Sequence, residues 1–122
     1  MIGYTTIGTN DLPRAEAFYD ALFEVTNFKR LASLGARGRV WGISWDRPVF
    51  SIAIPYDKSC ASPGNGNLVA LSYKNTAQVD AVYSKAIELG AVSDSGAFAR
   101  SENGVYSAYF RGNPPFVNDT SK

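Results

Sequence analysis

The side chains that could carry out chemistry in this chain are few. The sequence has no histidine and one cysteine, Cys60, so neither an internal disulfide nor a Cys–His nucleophile can form. Asp11, Glu16 and Asp20 are typical of a helix cap and a solvent-exposed helix face, and they do not indicate acid–base catalysis. No phosphate-binding loop and no Gly-x-Ser-x-Gly elbow is present. These patterns predict no catalytic residue and no cofactor.

Aromatic side chains are more informative. Trp41, Ile43 and Trp45 alternate along the chain, so they share one face of a predicted strand. Two indoles on one face could enclose a planar or cationic ligand, because small-molecule sites are mostly apolar with a few orienting polar groups. The same face could instead pack beneath a helix or in a subunit interface. We predict that Trp41 and Trp45 bind a ligand, and the sequence leaves the packing alternative open.

Length and charge favour one domain that binds a small organic molecule. The 122 residues contain 12 Lys and Arg against 11 Asp and Glu, a formal net charge of +1, without a basic or acidic run. This balance provides no electrostatic attraction for nucleic acid or an anionic membrane. No apolar run reaches the roughly 20 residues that span a bilayer, and the first residues lack a signal-peptide pattern. We therefore expect a cytoplasmic protein with neither a nucleic-acid nor a membrane partner.

The elements that must position these side chains occur as two related halves. Residues 2–9 are typical of a strand, and Asp11 can cap the helix that follows. The pattern returns about 64 residues later, as a repeat does. Residues 68–73 are typical of a strand, Asn75 can cap a second helix, and Gly90 can end it.

After each predicted helix the pattern changes to strands. In the first half they are predicted at about residues 26–34, 39–45 and 49–55, separated by turn-like segments. In the second half a short strand near residues 97–100 and a strand at 105–111 follow a Gly/Ser-rich stretch. The sequence therefore predicts two βαβββ modules, of which the second is less regular.

This layout resembles the vicinal oxygen chelate superfamily, in its glyoxalase/bleomycin resistance protein/dioxygenase branch. The segments that carry the resemblance are residues 2–19, 55–57, 64–71 and 109–111. The resemblance implies an α+β fold in which two βαβββ modules form a curved, cup-like mixed sheet with helices on its outer face. It covers nearly the whole chain as a single domain, 1–122. Module one spans about residues 1–57, the linker about 58–66, and module two about 67–122.

In metal-dependent members of that superfamily, four strands each direct one side chain toward a divalent cation. By the resemblance, the two positions commonly held by histidine fall on Tyr4 and Leu68, and one commonly held by glutamate falls near Ile52. None of these residues supplies the imidazole or carboxylate that such a cation prefers. The last position falls on Asp119 or on Phe116, depending on the alignment. The resemblance therefore implies a scaffold that holds no metal.

An apolar surface takes the place of the metal site in this comparison. Alternation directs Tyr4 and Thr6 toward the cup and groups Phe50, Ile52 and Ile54 on the fourth strand. We predict that a small organic ligand binds there without metal, which resembles sequestration by bleomycin resistance proteins and favours a binding protein over an enzyme. The predicted ligand-binding residues are Tyr4, Thr6, Trp41, Trp45, Phe50, Ile52, Ile54 and Leu68.

Two other functions stay open. One is a metal-dependent lyase, isomerase or dioxygenase with unorthodox ligands, Asp119 among them. The other is a degenerate family member with a collapsed cup and a role only in assembly. Pro114 and Pro115 remove two amide donors where the last strand should begin, so we predict an atypical C-terminal strand. An incomplete sheet exposes an edge that a second subunit can cover, and the superfamily often pairs subunits, so we expect a homodimer.

Overall fold

The computed structural model describes residues 1–62, 66–100 and 105–111. Its elements are, in chain order, β1 (Tyr4–Gly8), α1 (Leu12–Phe23), β2 (Lys29–Ser33), β3 (Gly38–Gly42), β4 (Val49–Ala53), α2 (Thr76–Glu88), β5 (Val92–Arg100) and β6 (Val105–Arg111). This mixture of two helices and paired strands confirms the predicted α+β class. Within those ranges no helix combines the length and the apolar character that a membrane crossing requires.

The first half of the chain forms a four-stranded mixed sheet in the order β1-β4-β3-β2. β1 lies parallel to β4, with Tyr4 opposite Val49 and Gly8 opposite Ala53. β3 is antiparallel to both β4 and β2. A parallel pair requires a long crossover, which α1, β2 and β3 provide. β1 and β2 are therefore the outer strands of this sheet.

Helix α1 covers one face of the sheet. The Asp11 side chain accepts a hydrogen bond from the Arg14 amide at 3.2 Å, which confirms the predicted cap. The apolar stripe that faces the sheet consists of Leu12, Ala15, Phe18, Tyr19, Leu22 and Phe23. Burial of each large apolar side chain in such a core contributes roughly 1.5–3 kcal/mol. We call the sheet surface beneath α1 the helix-covered face, and the other surface the opposite face.

The second half contains α2 and a β5–β6 hairpin. The Asn75 side chain accepts from the Gln78 amide at 2.9 Å, and the Gln78 side chain accepts from the Lys74 amide at 3.1 Å. This arrangement is a variant of the capping box, because the Gln78 side chain accepts from the amide of the residue before the cap. Gly90, which follows the helix, has a φ of 106°, a left-handed conformation that glycine adopts without steric cost. Both predicted ends of this helix are confirmed.

The strand predicted at residues 68–73 is wrong, because this segment has no regular secondary structure. Leu71 and Tyr73, two residues apart, still pack against the core. An extended chain also needs a neighbouring strand to pair its amides. Among the described ranges no strand lies beside this segment, whereas β1 at the equivalent position of the first half has β4.

Several strand boundaries differ from the prediction. β3 ends at Gly42, so Ile43 and Trp45 lie beyond the strand. β5 begins at Val92 and includes much of the stretch predicted to be irregular, because pairing with β6 overrides weak local propensity. Two register shifts mark where the ladder accommodates that stretch. The predicted atypical strand beyond Pro114 lies outside the described residues.

Candidate functional site

A pair of hydroxyl groups lies on the opposite face of the first sheet. Thr6 on β1 and Ser51 on β4 are register partners, and Thr6 Oγ1 lies 2.6 Å from Ser51 Oγ. Ser51 Oγ also donates to the carbonyl oxygen of Thr5 at 3.1 Å. Ser51 is buried at 7% exposure, while Thr6 is exposed. The pair therefore presents one accessible hydroxyl that is held in place by a buried one.

The proton count of this pair determines its chemistry. A serine hydroxyl has one proton, and Ser51 uses that proton on the Thr5 carbonyl. Either hydroxyl can donate across the 2.6 Å contact between Thr6 and Ser51. When the Ser51 proton is on the Thr5 carbonyl, Thr6 is the donor to Ser51. In that arrangement the Thr6 oxygen keeps its lone pairs for a ligand and has no proton left to donate.

Two exposed aromatic residues lie at one end of this sheet. Tyr4 begins β1 at 70% exposure, opposite Val49 at the start of β4. Trp45, 64% exposed, occupies the turn between β3 and β4, which the Arg47 amide closes by donating to the Ser44 carbonyl at 3.3 Å. β4 begins just after that turn, so the two rings lie at the same end of the sheet. Tyr4, two residues before Thr6 on the same face of β1, provides aromatic surface beside the hydroxyl pair.

Trp41 lies on the helix-covered face. It is 1% exposed, and its ring centroid lies 5.7 Å from that of Tyr19 and 6.0 Å from that of Phe23. Its Nε1–H donates to Asp20 Oδ1 at 2.9 Å. Of the two alternatives that the sequence left open, the structure gives Trp41 the one beneath the helix. Its ring does not reach the opposite face.

Phe50 and Ile52 also point toward α1, at 7% and 1% exposure. The prediction that they share a face is confirmed, but this face is the one that the helix covers. Ile54 follows β4 and packs at the margin of the same core. Leu68 is 66% exposed and lies outside the sheet. Of the predicted ligand-binding residues, the structure brings only Tyr4 and Thr6 together on the opposite face, with Trp45 at its end.

Charged groups link α1 to the sheet, and the Glu16 and Asp20 side chains that form these links are still 25% and 43% exposed. Arg30 Nη2 lies 2.6 Å from Glu16 Oε2 and also pairs with Asp20. Arg39 Nε lies 3.1 Å from Glu16 Oε2. Burial lowers the pKa of Arg30, but its bonds to Asp20 and Glu16 outweigh burial and raise that pKa above its usual value. These carboxylates therefore hold the helix against β2 and β3.

The opposite face contains neutral donors. Tyr4, Thr6 and Ser51 supply a phenol and two alcohols, and a divalent cation binds carboxylate or imidazole ligands in preference to these groups. Within residues 1–62, 66–100 and 105–111, no three His, Cys, Asp or Glu side chains are grouped closely enough to hold a metal ion. Asp119 and Phe116, the alternatives for the last ligand position, lie outside the described residues.

No protein-family profile matches this chain, and no curated protein matches its sequence. Solved structures do match. A glyoxalase/bleomycin resistance protein from Albidiferax ferrireducens T118 is 25% identical over 97% of this chain and 93% of that chain, with a TM-score of 0.83. A lactoylglutathione lyase from Agrobacterium tumefaciens is 21% identical over 97% of this chain and 88% of that chain, with a TM-score of 0.62.

A third structure, a glyoxalase/bleomycin resistance protein/dioxygenase family enzyme from Burkholderia phytofirmans PsJN, is 16% identical. The match covers 93% of this chain and 91% of that chain, with a TM-score of 0.60. The likenesses extend over nearly the full length of every chain compared, so they concern the whole fold. This chain therefore has the fold of the glyoxalase/bleomycin resistance protein/dioxygenase family, consistent with the vicinal oxygen chelate superfamily.

Proposed function

We propose that this protein binds a small organic molecule on the opposite face of its first sheet, without a metal, in a manner that resembles sequestration by bleomycin resistance proteins. The observation that carries the proposal is the exposed Thr6 hydroxyl, which lies 2.6 Å from the buried Ser51 hydroxyl. Tyr4 lies on the same face, two residues before Thr6. A fixed polar group beside exposed aromatic surface is the usual composition of a small-molecule site.

The proton count at Thr6 restricts the ligand. With the Ser51 proton on the Thr5 carbonyl and the Thr6 proton on Ser51, Thr6 Oγ1 acts as an acceptor, and the complementary ligand group is an N–H or O–H donor. The Tyr4 phenol can donate or accept, so it can satisfy a second polar group of either kind. Trp45 offers an exposed indole at the end of the face, where a planar or cationic part of the ligand can stack. We therefore propose an amphipathic ligand with at least one donor.

The ligand test measures intrinsic tryptophan fluorescence during a screen of amphipathic compounds. Because the exposed Trp45 is the reporter near the site, we expect the response to survive in Trp41→Phe and to disappear in Trp45→Phe. Thr6→Val keeps the side-chain shape and removes the acceptor, so it should weaken binding by roughly fivefold to tenfold. Thr76→Val, at an exposed helix position, is the matched control. Equal affinity for Thr6→Val and wild type would contradict the proposed site.

The metal-free part of the proposal has its own test. Purified full-length protein is analysed for bound metal and then titrated calorimetrically with Ni²⁺, Zn²⁺, Mn²⁺ and Fe²⁺. We expect no tight stoichiometric binding, because the described donors are neutral hydroxyls. A single tight site would overturn this part of the proposal and favour the metal-dependent lyase, isomerase or dioxygenase. Ligand binding at Thr6 would still be tested independently by the fluorescence measurement.

We further propose that the protein is a homodimer in the cytoplasm. Supporting the dimer, β1 is an outer strand, and large apolar side chains are exposed near it and on the segment that precedes α2, with Ile2 at 63% and Leu68 at 66% exposure. Supporting the compartment, Cys60 is an exposed free thiol. Light scattering after size exclusion should give twice the chain mass, and Leu68→Glu should reduce it. A monomer at every concentration would refute the dimer.

A further inference from the structure

A groove lies at the end of the first sheet that is farther from Tyr4 and Trp45. Its floor and rim come from the β2–β3 turn and from the segment that follows β4: Ala36, Arg37, Ile54, Pro55, Tyr56 and Lys58. It is open to solvent and encloses about 530 Å³, within the range of small-molecule sites. β1 and β4 run parallel, so this groove lies beside their last residues, whereas the hydroxyl pair lies at the middle residue of each strand.

Backbone hydrogen bonds fix both sides of the groove. On one side, the Arg37 amide donates to the Leu34 carbonyl at 3.0 Å, and the Arg37 carbonyl accepts from the Ile54 amide at 2.8 Å. On the other side, the Lys58 amide donates to the Pro55 carbonyl at 2.9 Å and closes a turn around Tyr56. The backbone that carries both cations is therefore positioned before any ligand arrives.

Arg37 and Tyr56 form a preassembled recognition pair. The guanidinium carbon of Arg37 lies 5.5 Å from the centre of the Tyr56 ring. A guanidinium stacked on an aromatic ring keeps its N–H donors at its edge, where they can bind a carboxylate in a fork. Tyr56 is 88% exposed, so its ring also has surface available for a planar ligand.

The groove has an excess of positive charge. Among the described residues neither Arg37 nor Lys58 forms an ion pair. The adjacent carboxylate, Asp57, accepts a hydrogen bond from the Ser59 amide at 3.0 Å. Lys58 has a φ of 64°, a conformation unfavourable for lysine and easily adopted by glycine or asparagine. A lysine at this position places its charge at the groove at a conformational cost.

We propose that this groove binds a planar aromatic carboxylate. Arg37 and Lys58 bind the carboxylate oxygens, the Tyr56 ring stacks on the aromatic part, and Ile54 and Pro55 provide the apolar floor. The negative charge of the ligand matches Arg37 and Lys58, which form no ion pair among the described residues. The planar part of the ligand matches the exposed ring of Tyr56. This site is separate from the hydroxyl pair at Thr6, so it does not depend on the function proposed above.

The test is an NMR titration of ¹⁵N-labelled full-length protein with 2-naphthoate. We expect saturable shifts centred on the amides of Arg37, Tyr56 and Lys58. Its neutral analogue, 2-naphthamide, and its saturated analogue, decahydronaphthalene-2-carboxylate, should each bind roughly tenfold more weakly, because one lacks the charge and the other the planar ring. Shifts centred on Thr6 and Tyr4 instead would overturn this proposal.

Variants separate recognition from folding. Arg37→Gln and Lys58→Asn should each weaken 2-naphthoate binding by roughly tenfold. Because asparagine suits the left-handed backbone at position 58, Lys58→Asn should remain folded, which its amide spectrum will show. Lys74→Asn, an exposed lysine away from the groove, is the control for loss of one positive charge. Binding that no variant weakens, equal binding of the neutral amide, or no saturable shift up to the solubility limit would overturn the proposal.

Discussion

Asp20→Ala should destabilise the protein mainly by leaving the buried Trp41 indole without an acceptor. Asp20 Oδ1 accepts from Trp41 Nε1 at 2.9 Å and from Arg30 Nε at 3.3 Å. A buried donor that loses its partner costs about 1–3 kcal/mol. The Asp20 side chain is 43% exposed, so screening reduces its ion pair with Arg30 to at most about 1 kcal/mol. We therefore expect a loss of about 1–4 kcal/mol in unfolding free energy.

A double-mutant cycle isolates the indole contribution. In a Trp41→Phe background the N–H is already absent, so Asp20→Ala should cost only the ion pair, about 0–1 kcal/mol. Urea unfolding followed by circular dichroism measures all four proteins without a tryptophan signal. Glu88→Ala, which removes the 71%-exposed partner of Lys85, is the control and should have little effect. If Asp20→Ala costs the same in both backgrounds, the two side chains are not coupled and the reasoning fails.

Three further perturbations test local chemistry. The buried hydroxyl of Tyr73 has no hydrogen-bond partner among the described residues, and burial raises its pKa above the usual 10.0. Tyr73→Phe should therefore stabilise the fold by about 1 kcal/mol and reduce the stability lost in urea titrations above pH 10, where the unfolded phenol ionises first. Ser44 donates a hydrogen bond that lowers the pKa of Asp46; Ser44→Ala should raise it toward 3.8 in a carboxyl ¹³C titration, and an unchanged value would refute this cause. Gly38→Ala places a Cβ 2.7 Å from a β4 carbonyl oxygen and should cost about 1–3 kcal/mol in urea unfolding, while Gly3→Ala meets no atom within 4 Å and should be neutral.

Helix ends were predictable because their determinants are local. The caps at Asp11 and Asn75 and the left-handed residue at Gly90 each depend on hydrogen bonds or dihedral angles within a few positions. The absence of a strand at residues 68–73 was not predictable on the same basis. Leu71 and Tyr73 do pack against the core at alternate positions, but a strand also requires a partner that is distant in sequence. Side-chain pattern and backbone pairing are therefore separate requirements.

The identity of the covered face limited prediction of the site. Alternation groups Phe50 with Ile52, but it does not state whether a helix or a ligand lies over them. The residue between two large apolar ones indicates which face the helix covers. A buried hydroxyl requires a hydrogen-bond partner, and an aromatic core offers none, so the hydroxyl lies on the face away from the helix. Ser51 is that residue, and the hydroxyl residue at its register position, Thr6, is its partner. Had β1 and β4 been paired from the sequence with Thr6 opposite Ser51, the apolar pair would have been assigned to α1.

The burial of Trp41, Phe50 and Ile52 beneath α1 restricts the kind of ligand that the proposed site at Thr6 can bind. With Trp41, Phe50 and Ile52 in the core, the exposed surface of the proposed site consists of the Thr6 hydroxyl and the Tyr4 ring. The Thr6 oxygen is the hydrogen-bond acceptor in this proposal. Affinity on such a surface comes from satisfying that acceptor and from stacking at its margin, since a few placed polar groups fix the orientation of a ligand. A purely apolar compound leaves the Thr6 oxygen unpaired on binding, at a cost of about 1–3 kcal/mol. Compounds that differ by one N–H or O–H donor should therefore separate by roughly tenfold or more in affinity, and equal affinities would place the ligand elsewhere.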